Sequence, residues 1–89
     1  MAVFELRVAP SAARALERLP EPVAAAVVEF LTGALLEEPK RVGRPLVRQL
    51  AGYWSARRGA YRVIYALDEA AALVLVVRIE HRADVYRPL

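Results

Sequence analysis

An α+β fold is predicted for this chain from three observations. Between Ser11 and Glu38, apolar residues recur at helical spacing and are cut into two runs by Pro20. Around Gly59-Ala60, two runs rich in aromatic and β-branched residues read as a β-hairpin. From Ala72 to Glu80 the chain is nearly continuous aliphatic β-former. The helix-forming and later strand-forming stretches are segregated, which favours helices on one face of an antiparallel sheet over alternating parallel units. The expected architecture is an N-terminal strand, a two-helix hairpin, then a three- to four-stranded antiparallel meander with the helices packed on one face. At 89 residues the chain is expected to be one domain, 1–89, with one core.

In order, Val3 to Val8 alternates as a short strand, with Glu5 and Arg7 on one face. Pro10 and Ser11 punctuate it, and Ser11 suits the N-cap of a first helix. That helix stops near Leu19, because the residue before Pro20 is pushed out of the helical region. Glu21-Pro22 restarts a second helix, with proline and acid in its first turn. Val23, Val27, Phe30, Leu31, Ala34 and Leu35 give it one apolar face, and Glu37-Glu38-Pro39 ends it. Lys40 to Pro45 reads as a basic loop and Leu46 to Leu50 as a short strand broken by Gly52. The hairpin Tyr53–Arg58 and Ala60–Leu67 follows, with Tyr53, Trp54 and Tyr65 assigned to the core. Asp68-Glu69-Ala70 turns the chain into the Ala72–Glu80 strand, expected to be buried on both faces, and a short polar tail closes it.

Charge is distributed unevenly. From Pro39 to Leu67 there is no Asp or Glu, while Lys40, Arg41, Arg44, Arg48, Arg57, Arg58 and Arg62 all fall inside. This +7 segment sits in a chain whose formal net charge is only +3, so the field is concentrated and suits a polyanion. An apolar fraction of 57% excludes a disordered chain, and some of that surface suits burial under a partner. The absence of cysteine excludes a disulfide scaffold and thiol chemistry. With a single histidine, no structural zinc, other metal or cofactor is expected. No signal-peptide order and no long apolar run are present, so a soluble cytoplasmic protein with no membrane partner is expected.

Three stretches carry a resemblance: Arg41-Val42-Gly43-Arg44-Pro45-Leu46, the run Leu50 to Tyr65, and Ile79-Glu80-His81-Arg82-Ala83-Asp84-Val85-Tyr86-Arg87. In combination, the Gly59-x-Tyr61-Arg62-x-x-Tyr65 hairpin and the His81-Arg82-x-Asp84-Val85-Tyr86 segment resemble the RelE/ParE superfamily of toxins from toxin–antitoxin systems, and its RelE branch in particular. The resemblance runs from Val3 to Arg87. It implies a ribosome-dependent mRNA endoribonuclease with a cognate antitoxin, the ribosome and mRNA as partners, and a toxin–antitoxin hetero-oligomer. The ParE branch, which poisons DNA gyrase, shares the fold, so a gyrase inhibitor and a catalytically idle RNA- or partner-binding module are the alternatives.

Strand alternation puts Arg62, Ile64 and Ala66 on one face and Tyr61, Val63, Tyr65 and Leu67 on the other. An arginine on so apolar a strand either reaches water or meets an anion. The resemblance makes Arg62 the brace of the scissile phosphate, a task that suits a permanently charged fork. Arg57 and Arg58 alternate, so only one of them shares that face, and a bulge would swap them. Lys40, Arg41, Arg44, Arg48, Arg57 and Arg58 are the RNA-binding candidates. His81, whose residue type can give or take a proton near neutrality, competes with Arg82 for proton delivery to the leaving 5′-oxygen. Tyr86 is the candidate for stacking on a target base. Where the resemblance leads one to expect lysines, this chain has Tyr53-Trp54-Ser55-Ala56. The lysine general base is therefore missing, and Ser55 cannot replace it at neutral pH.

Overall fold

The computed structural model describes residues 3–81. Its five strands are β1 (Glu5–Val8), β2 (Arg44–Pro45), β3 (Tyr53–Arg58), β4 (Tyr61–Asp68) and β5 (Leu73–His81), lying in the order β1-β5-β4-β3-β2. β2 to β5 are antiparallel, as the meander predicts. β1 joins β5 in parallel, with Glu5 opposite Leu73 and Val8 opposite Val76. Four helices, α1 (Pro10–Arg18), α2 (Glu21–Thr32), α3 (Ala34–Glu37) and α4 (Pro39–Val42), connect β1 to β2. Ala12, Val27, Phe30, Leu31 and Leu35 from the helices are buried against Ala56, Val63, Tyr65, Val74, Val76 and Ile79 of the sheet. The helices thus cover one face, and among the described residues no helix packs on the other. Among the described residues no helix is long and apolar enough to cross a membrane.

Several local expectations are corrected. Ser11 does not cap α1: the helix starts at Pro10, whose missing N–H costs nothing at a first helical position. The Ser11 hydroxyl instead donates to the Val77 carbonyl at 3.2 Å, tying α1 to β5. The second helix does not run to Glu38. The Thr32 hydroxyl back-bonds to the Val28 carbonyl at 2.8 Å, and Gly33 leaves helical geometry at φ −112°, ψ −99°. The expected loop after Pro39 forms α4 and then β2, so the short strand is Arg44–Pro45. Residues 46–50 are not a strand: Arg48 adopts φ 62° and Arg48–Leu50 closes a 3-10 turn. Proline is tolerated in β2 because that strand is an edge and needs no second ladder donor. Gly59 opens the β3–β4 turn at φ 58°, the left-handed geometry a two-residue hairpin loop needs at its first position. Tyr53 is half-buried and lies outside the core cluster, whereas Trp54 packs against it and Tyr65 is fully buried in it.

The burial of β5 is set by a bulge. Tyr65 pairs with Val76, but the next pair is Ile64 with Arg78, so Val77 is an extra residue. Strict alternation would send Arg78 and Glu80 to the helix side along with Val74 and Val76. The inserted residue reverses the phase: Ile79 is buried, Arg78 is exposed and Glu80 is half-buried. The strand is therefore not buried on both faces. One extra residue has turned two charges out of the core.

Tyr65 links the core to the chain that borders the open face. Its hydroxyl donates to the Pro39 carbonyl at 2.6 Å, holding the start of α4. Burial pushes this phenol up to about 12. The folded value lies above the ordinary value of about 10, so the neutral form is favoured by folding. The corresponding stability is complete below pH ~10 and is lost as pH rises through about 12. Urea melts between pH 9 and 12 should show wild type losing on the order of 2–3 kcal/mol that Tyr65→Phe does not lose.

Candidate nucleic-acid interface

The open sheet face inherits its cations from register. Arg57 lies opposite Arg62, and Arg62 lies opposite Glu80, so these three side chains form one row across β3, β4 and β5. Arg44, Ser55, Ile64 and Arg78 form the neighbouring row. Like charges directly opposite one another are unfavourable, and an anion bound between Arg57 and Arg62 would reverse the sign of that interaction. Beside these rows lies a groove of about 750 Å³ whose lining includes Arg41, Arg44, Pro45, Ser55, Arg57 and Arg62, with no acidic side chain in its wall among the described residues.

Arg62 is held rather than free. Its Nε and Nη2 donate to Glu80 Oε1 at 3.1 and 2.6 Å, and Arg78 Nη1 donates to Glu80 Oε2 at 3.2 Å. The Glu80 side chain is 19% exposed and that of Arg62 is 36% exposed, so the pair is sheltered while part of the guanidinium still meets solvent. Arg44, Arg48 and Arg57 make no ion pair or side-chain hydrogen bond among the described residues. Free guanidiniums at a groove wall retain their full capacity for phosphate oxygens.

The candidate cations divide clearly. Arg41, Arg44 and Arg57 converge with Arg62 on the groove, Arg41 also touching Glu38 at 3.3 Å. Lys40 lies in an exposed ion pair with Glu69 at 2.8 Å, and Arg48 sits on the 3-10 turn outside the groove lining. Arg58 points to the helix side, where its guanidinium lies 5.3 Å from the Phe30 ring centroid. Of the adjacent pair, Arg57 therefore shares the face of Arg62.

His81 does not converge with Arg62. It pairs with Tyr61, and the two rings meet edge to face at 4.8 Å between centroids. Tyr61 packs against the core, so His81 belongs to the face opposite Arg62, at the end of the sheet. Arg82 and Tyr86 lie outside the described residues.

Glu80, Arg78 and Gly43 were not singled out from the sequence. A register count could have suggested a partner for Arg62, but counting strictly from the closing pair Asp68–Leu73 places Ile79 there; the bulge moves Glu80 into position. Gly43 is required by contact: a Cβ there would collide with the Tyr65 hydroxyl and lie 3.0 Å from the Ser55 carbonyl oxygen. The chain leading to Arg44 is thereby pressed against the sheet.

Comparison with known proteins bears on the family and the fold. The model of the family described as the ParE toxin of the type II toxin–antitoxin system parDE matches residues 6–86. The chain is 50% identical over 84 residues to Toxin RelG of Mycobacterium tuberculosis, covering 94% of this chain and 97% of that protein. It is 48% identical to Toxin RelE of the same organism, covering 94% of this chain and 87% of that one. A chain of the RelBE2 toxin–antitoxin complex from M. tuberculosis superposes with a TM-score of 0.90 at 49% identity, covering 94% of this chain and 97% of that one. A chain of the intact Escherichia coli RelBE complex shares the fold alone, with a TM-score of 0.71 at 19% identity over 90% of this chain and 96% of that one.

Proposed function

Because this chain belongs to the RelE/ParE toxin family of type II toxin–antitoxin systems, we propose that it is an endoribonuclease that cuts mRNA on the ribosome and so blocks translation. The observation that carries the proposal is the convergence of Arg41, Arg44, Arg57 and Arg62 on one groove with no acid in its wall among the described residues. The reaction is attack of a 2′-hydroxyl on the adjacent phosphorus with departure of the 5′-oxygen. It leaves a 2′,3′-cyclic phosphate and a 5′-hydroxyl, and it spares DNA, which lacks the nucleophile. Arg62, with Arg57 opposite it, meets the charge that builds on the phosphoryl oxygens in the transition state. Arg44 and Arg41 hold flanking phosphates.

Proton delivery to the 5′-oxygen falls to Arg82 or His81, and base stacking to Tyr86, as the resemblance implies. His81 would have to act around the end of the sheet from the Tyr61 side. A cognate antitoxin is the partner, as in the related M. tuberculosis RelBE2 toxin–antitoxin complex, and its cover over this groove in the resting hetero-oligomer is part of the proposal.

The test is primer-extension mapping of an mRNA on stalled ribosomes, comparing wild type, Arg57→Ala and Arg58→Ala. Wild type should cut in the decoding site and leave free mRNA intact. Arg57→Ala should weaken cutting roughly fivefold to tenfold, as expected for one lost charge-assisted contact, and should lower the salt dependence. Arg58→Ala should cut like wild type. Intact mRNA with a folded wild-type protein would reject the nuclease and send the question to a gyrase cleavage-complex assay, the ParE-type alternative.

A further inference from the structure

Arg62 has two edges at which it can hold an oxyanion: the side edge formed by Nε and Nη2, and the end edge formed by Nη1 and Nη2. Glu80 Oε1 occupies the side edge with both contacts, at 3.1 and 2.6 Å. Arg62 also lines the groove, so the end edge is the one available to an oxyanion bound there. Glu80 is itself fixed from its other oxygen by Arg78, and the Val77 bulge is what brings it opposite Arg62. No other carboxylate contacts Arg62 among the described residues. We propose that Glu80 is a positioning residue for cleavage, holding the side edge of Arg62 so that its end edge faces the scissile phosphate.

This inference rests on the ribonuclease reading. It assigns Glu80 a role through Arg62, not one of its own at the reacting atoms. It also makes Glu80 act on binding and on rate in opposite directions. Its negative charge beside a cationic groove opposes the approach of a polyanion. Its grip on the guanidinium removes the freedom that would otherwise be lost in the transition state, where small misplacements are costly.

Single-turnover cleavage of mRNA on stalled ribosomes by wild type, Glu80→Ala and Glu80→Gln tests the assignment, with thermal melts normalising for folded protein. Glu80→Ala should lower the maximal rate on the order of 100-fold, with the half-saturating concentration unchanged or lower. Glu80→Gln keeps an acceptor oxygen at the same reach and should restore the rate to within about tenfold of wild type. A wild-type rate in Glu80→Ala would overturn the proposal. Equal losses in Gln and Ala would also overturn it, since the carboxylate would then be acting as a base. Wild type that cuts nothing would remove the nuclease reading and this inference together, whereas active wild type beside an unaffected Glu80→Ala removes this inference alone.

Discussion

Arg62→Ala should reduce mRNA cleavage on the ribosome by roughly 100- to 1000-fold, the effect of deleting one preorganised donor to a developing oxyanion. Arg62 is central to the cation row, with Arg57 opposite on one side and Glu80 on the other. Among the described residues no neighbouring group is placed to substitute for it. Arg57 belongs to the next strand, and Arg78 is already engaged with Glu80. Arg62→Lys should recover only part of the loss, because an ammonium cannot offer one edge to Glu80 and another to a phosphate in the same plane. The fold should survive both changes: the Arg62–Glu80 pair is partly exposed, and Arg78 still neutralises Glu80 once Arg62 is gone. Single-turnover rates alongside melting curves check the prediction. A cutting rate within a few-fold of wild type in folded Arg62→Ala would remove Arg62 from the chemistry.

Gly43→Ala should be the most damaging small substitution for stability, on the order of 3 kcal/mol. Its Cβ would run into the Tyr65 hydroxyl and press on the Ser55 carbonyl, and Tyr65 is fully buried with no room to retreat. Shifting the phenol would also break its hydrogen bond to the Pro39 carbonyl and leave that acceptor unmet. Removing the hydroxyl should relieve the worst contact, so Gly43→Ala combined with Tyr65→Phe should be less destabilised than the sum of the single changes. Urea melts of the four proteins measure that coupling. Strict additivity would mean that Gly43 is not held against Tyr65.

The sequence made the larger plan of the molecule legible because periodicity and punctuation act locally. The helical spacing of Val27, Phe30 and Leu31, the stop before Pro20 and the hairpin at Gly59 all correspond to elements of the fold. The face of Arg62 was equally readable, since alternation within one strand needs no partner. What stayed hidden depended on two strands at once. The choice of Arg57 over Arg58 follows from the β3–β4 register, whereas the pairing of Glu80 with Arg62 and the outward turn of Arg78 follow from the β4–β5 register, which a single extra residue at Val77 resets. The place of His81 was hidden for the same reason. Its chemistry suggested the site, yet its place on β5 puts it beside Tyr61. The stretch 46–50 misled because its β-forming composition is overruled by the left-handed backbone at Arg48.

The parallel joining of β1 to β5 has a consequence for the order in which the chain is made. Among the described residues β1, made first of the five strands, hydrogen-bonds in this sheet only to β5, which is made last of the five. A nascent chain that ends before Leu73 therefore holds neither a partner for β1 nor Glu80 to grip Arg62. Its cations are already present in sequence but not yet arranged as a row. Contacts between segments so far apart in the chain also form late and slowly. The row that runs from Arg57 through Arg62 to Glu80 is thus complete only once residues 73–81 have been made.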